Sequence, residues 1–140
     1  MPRDFANEKE LEFLLPSAKA PSPPATDDVL SNLIAARAFI AREEDWCVGD
    51  RGHPGHGPRC ALGALDAVFG RYCAAVHQQE VKLLARFAKY QLGDEIPFWG
   101  TATHEAMCVA QHNNQFGHAA TLEMFDRAIA ARAAELNREG

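Results

Sequence analysis

The segment Gly49-Asp-Arg-Gly-His-Pro-Gly-His-Gly-Pro58 holds four glycines and two prolines in ten residues. Freely rotating glycines and amide-less prolines together deny it both a helix and a paired strand. Regular structure must therefore form on either side of this loop, and on both sides apolar residues repeat at the α-helical period. Upstream, Val29, Leu33, Ala36 and Ile40 form one stripe, widened by Leu30, Ile34 and Phe39. Thr26 is the expected cap, and Asp27 and Asp28 suit the positive end of the helix dipole. Glu43, Glu44 and Asp45 oppose the negative end, which predicts a stop near Arg42.

Downstream, a second helix is expected from about Cys60 to His77, with Leu62, Leu65, Val68 and Phe69 on its apolar face and Gly63 at a close crossing. Val81 to Leu92 continues helically to a stop at Gly93, and a loop carries Pro97 and Trp99. Thr103 caps a short helix to about His112, Asn113 to Gly117 reads as a turn, and a last helix runs from about His118 to Leu136. With no alternating, strand-like segment, the pattern predicts an all-α single compact bundle of about five helices over residues 26–140. Residues 1–25 are expected to be a partly disordered arm, because Pro16, Pro21, Pro23 and Pro24 interrupt it. Trp46 is the expected anchor closing the first helix.

At 140 residues the chain is one domain long, and 47% hydrophobic residues supply a core. A formal charge of −5 with scattered lysines and arginines speaks against direct nucleic-acid binding. No apolar run approaches the roughly 20 residues of a membrane span. The acidic start, with Asp4, Glu8, Glu10 and Glu12, does not read as a secretory leader. The expected location is the cytoplasm, where the four cysteines are reduced thiols.

Three blocks carry a family resemblance. They are Trp46-Cys-Val-Gly49, Cys60-Ala-Leu-Gly-Ala-Leu65, and Asn113-Asn114 followed by His118-Ala-Ala-Thr-Leu122 and Phe125-Asp-Arg-Ala-Ile129. Spread over about 100 residues, they resemble a domain of unknown function found in small uncharacterised bacterial and phage proteins. Asn114 stands where that pattern has an acid, Thr121 where it has valine, and Gly117 where a threonine would cap the helix. The resemblance implies fold and compartment and brings no activity with it.

Three constellations could carry chemistry. Cys47, His53, His56 and Cys60 offer two thiolates and two imidazoles, a possible tetrahedral zinc shell at a spacing unlike common fingers. Cys73 with His77, and Cys108 with His104 and His112, lie four apart, so on helices each pair would share a face. If the two helices meet, Cys73, His77, Cys108 and His112 could form a site in the bundle core. Cys60, at a helix start that favours thiolate, could pair with His118 as base and Asn113 as its orienting group. Against each stands the plainer role of cysteine as a small core residue and of His118 and Asn113 as caps. Asp126, on the last helix, needs a donor such as Arg37 or His118 if it faces inward.

No set supplies a complete list of chemical roles, so the expectation is a small acidic binding module acting on a protein partner, without a cofactor. Trp46, Asn113, Asn114, His118 and Asp126 are the candidate binding residues. A cysteine-dependent enzyme and a zinc-binding domain are the alternatives.

Overall fold

Asp27, not Thr26, caps the first helix: its backbone is extended and its carboxylate accepts from the Leu30 amide at 3.0 Å. In the computed structural model, which describes residues 26–49, 57–91 and 103–139, this helix is α1, Asp28–Phe39. It buries Leu30, Leu33 and Ala36, with Ile40 following, whereas Ile34 and Phe39 stay 51% and 42% exposed. The buried stripe is thus narrower than the apolar pattern suggests. A 3₁₀ turn over Glu43–Asp45 follows. Cys47 then donates its amide to the Arg59 carbonyl, and Arg59 donates its own to Asp45. The only β-bridge among the described residues, a parallel one, joins Trp46 and Arg59, which lie on either side of the Gly/Pro-rich segment in sequence.

The second helix, α2, spans Ala61–Phe69 and does not continue to His77. Gly70 stops it at φ 79°. The Gly70 amide bonds back to Ala67 and the Arg71 amide to Asp66, the crossed pair of a Schellman ending. The buried Asp66 carboxylate then holds the next turn by accepting from the Cys73 and Ala75 amides at 2.9 and 3.0 Å. Cys73 and His77 therefore sit in exposed turns and do not share a helix face.

Helix α3, Gln79–Arg86, buries Val81, Leu84 and Ala85 and ends short of the expected Leu92. The last helix, α4, runs His104–Glu139, where the sequence predicts two helices and a turn. Thr103 caps it through the Ala106 amide, as expected, while donating its hydroxyl to the Val76 carbonyl. Helical backbone continues through Asn113 and Asn114 and breaks only at Gly117, at φ 92° and ψ −178°, a region essentially reserved for glycine. The described residues thus hold four α-helices, the last one bent.

The long helix packs on each of the other three. Around it, Leu33, Ile40, Leu65, Val81, Leu84, Val109, Met124 and Phe125 form one fully buried core. No helix is long and apolar enough to cross a membrane among the described residues.

Candidate functional site

The polar centre of the molecule is Asn113, 0% exposed, on the inner face of α4 just before its bend. Its Oδ1 accepts from the Trp46 indole N–H at 2.7 Å and from the Ala61 amide at 3.0 Å. Its Nδ2 donates to the Cys47 carbonyl at 3.0 Å and to Asn114 Oδ1 at 3.1 Å. An amide side chain has two acceptor positions and two donor hydrogens, and all four are used. The Ala61 amide is one of those left without a helical partner at the start of α2, and Cys60 supplies no side-chain cap there. Asn113 caps α2 from another helix.

Asn114 extends this clasp outward, its Oδ1 accepting from the Gly49 amide at 2.8 Å. In both of these contacts the oxygen accepts, a role that a carboxylate fills equally well, so asparagine in place of an acid preserves them. His118, after the bend, sets its Nε2 2.7 Å from the Ile40 carbonyl, so the nitrogen donates and satisfies an end carbonyl of α1. Its ring lies against Trp46 with centroids 5.4 Å apart, tilted by 43°. Thr121 closes the bend by donating its hydroxyl to the Gly117 carbonyl at 2.8 Å. Side chains from both halves of α4 thus tie the end of α1, the strand-like Trp46–Cys47 segment and the start of α2 into one unit.

The structure brings Trp46, Asn113, Asn114 and His118 together and leaves Asp126 elsewhere. Asp126 forms a two-pronged pair with Arg37 at 2.6 and 3.3 Å, with its side chain 55% exposed. Of the zinc set, His53 and His56 lie outside the described residues. Cys60 is buried at the first turn of α2, its place as expected, and Cys47 is half-buried. Among the described residues no group of three or more His, Cys, Asp or Glu side chains could hold a metal ion.

The proposed meeting of Cys73, His77, Cys108 and His112 does not occur. The first two are exposed in turns, while Cys108 and His112 are each 1% exposed. His112 has both nitrogens committed: Nδ1 accepts from the Lys89 amide at 2.8 Å, so Nε2 carries the proton and donates to the Ala120 carbonyl at 2.8 Å. Burial holds its pKa below the ordinary histidine value. The Lys89 ammonium acts in the same direction, and the Ala120 bond and Glu123 oppose it. The sequence pattern offers His112 as one possible member of a bundle-core site, if two helices meet there. What it is instead is the fastener between the chain after α3 and the bend of α4, and no local pattern announces that, since both partners are backbone atoms.

No curated protein and no solved structure matches the chain. The three blocks that build the clasp all fall within residues 24–131, which match the profile of a family of unknown function, DUF6197, and the chain belongs to that family.

Proposed function

We propose that this protein is a small acidic intracellular binding module that acts on a protein partner, without a catalytic role of its own. Interference of such a module with a host machine, suggested by the resemblance to phage proteins, is part of the proposal. The observation that carries it is the complete hydrogen-bond commitment of Asn113, with His118 Nε2 directed at the Ile40 carbonyl. In this reading the residues that could serve a thiol enzyme as base and orienting group act structurally, which their hydrogen bonds support. Recognition needs no such groups, and the surface carries large apolar side chains suited to it: Ile34, Phe39, Val48, Tyr72 and Phe116. Direct nucleic-acid binding is not part of this reading, given the net charge of −5.

The test has two arms. Tagged full-length protein is recovered from its native cells, and copurifying proteins are purified separately and titrated against it. A saturable complex between the two purified components is the expected result. In the second arm, the four thiols are alkylated under native conditions and the rates compared. Cys60, 5% exposed, should react only on unfolding. Fastest reaction at Cys60 near neutral pH, together with loss of a measurable turnover in Cys60→Ser, would replace the binding reading with the enzyme one.

A further inference from the structure

Two hollows lie along the outer side of α3, and Arg86 lines both of them. One, of about 270 Å³, sits between the end of α3 and the bend of α4 and is walled by Arg86, Lys89 and Arg127 with a single carboxylate, Glu123. The other, of about 250 Å³, lies nearer the start of α1 and is walled by Lys82, Arg86 and Arg132, again with a single carboxylate, Glu135. Each hollow thus has three cations to one carboxylate in a chain whose net charge is −5. Lys82 and Arg86, four apart, share one side of α3, and Lys89 follows in the turn just beyond its end.

The cations of α4 have partners. Arg127 bonds to Glu123 at 3.1 Å, and Arg132 is held by Asp27 and Glu135. Lys89 reaches Glu123 only at 3.9 Å. Lys82 and Arg86 are exposed and meet no carboxylate among the described residues. Among the charges the linings also carry half-buried apolar side chains, Val29 and Leu83 in one hollow and Phe87 in the other.

Resting on the binding-module reading above, we propose that this groove between α3 and α4 docks an acidic, amphipathic segment of a partner protein. The carboxylates of that segment meet Lys82, Arg86 and Lys89, and its apolar side chains enter the two hollows. The combination of cations with apolar side chains in the same hollows selects this occupant. A nucleic-acid strand presents phosphate at every step and would leave those apolar side chains uncovered. A purely apolar helix would leave the cations without counter-charge.

The test uses the full chain and a fluorescein-labelled synthetic peptide of about 15 residues, built from Glu with Leu and Phe at helical spacing. Anisotropy should show saturable binding that weakens as salt rises. The double variant Lys82→Glu/Arg86→Glu should bind at least about tenfold more weakly, since two exposed attractions become repulsions. Its circular dichroism should be unchanged, because both side chains are exposed. The same peptide with Gln for every Glu should also lose binding. Equal binding by the double variant or by the Gln peptide overturns the proposal, as does tighter binding of an oligo-dT strand. If a reconstituted natural partner binds wild type and double variant equally, the groove assignment falls and the binding-module reading stands. If no purified partner binds either form, that broader reading falls with it.

Discussion

Replacing Asn113 with aspartate changes one atom's chemistry at the most connected point of the structure. The oxygen that accepts from Trp46 and Ala61 is retained. The nitrogen becomes an oxygen facing the Cys47 carbonyl and Asn114 Oδ1 at about the same 3.0 and 3.1 Å separations, so two donations become acceptor-on-acceptor contacts. Each unsatisfied buried group costs about 1–3 kcal/mol, and the site is fully buried, so a loss of about 3–5 kcal/mol is expected at neutral pH. That is a large share of the roughly 5–15 kcal/mol by which domains are stable. With a urea slope of about 2 kcal/mol per molar, the unfolding midpoint followed by circular dichroism should drop by about 2 M.

The pH dependence gives a second handle. A carboxyl in this setting is favoured in its protonated form, which can donate to one of the two oxygens. Its folded pKa then lies above the unfolded value of about 3.9, so folding takes up a proton between the two and the variant's deficit grows as pH rises through that window. Asn114→Asp is the matched control. Its Oδ1 only accepts in the described contacts, so this variant should lie within about 1 kcal/mol of wild type. If Asn113→Asp costs less than about 1 kcal/mol, or no more than Asn114→Asp, Asn113 is not the clasp described here.

Gly117→Ala isolates backbone strain, because an added Cβ would meet nothing within 4 Å while φ is +92°. The expected cost is about 1–3 kcal/mol by thermal or urea unfolding, and an unchanged or raised Tm would contradict the bend. Protonated His112 could no longer accept from the Lys89 amide, and burial depresses its pKa in the folded state. Its contribution is therefore complete above the unfolded histidine value of about 6.5 and is lost as pH falls through the lower folded value. Ring-nitrogen NMR should show Nε2 protonated and Nδ1 bare at neutral pH, with a titration midpoint below about 6.5. A midpoint at or above that value would refute the assignment.

Residue spacing alone determined the helical character, because an amphipathic period is a local property that survives in any helical packing. It also located α1 and the start of α2 next to Cys60, because start signals are themselves local. Gly70 was legible in principle as a helix stop, but the apolar pattern continuing through Ala75 and Val76 masked it. The pair Asn113-Asn114 shows where local reading fails. Asparagine favours turns because its side chain can compete for nearby backbone groups. Here Trp46, Cys47, Gly49 and Ala61, more than 50 residues away in sequence, occupy those side chains, so nothing remains to break the helix. The same holds for His112 and His118, whose partners are mostly backbone atoms of distant segments with no sequence signature. Only tertiary packing could decide which bonds Asn113 and His118 make, since their partners lie in segments that no local pattern names.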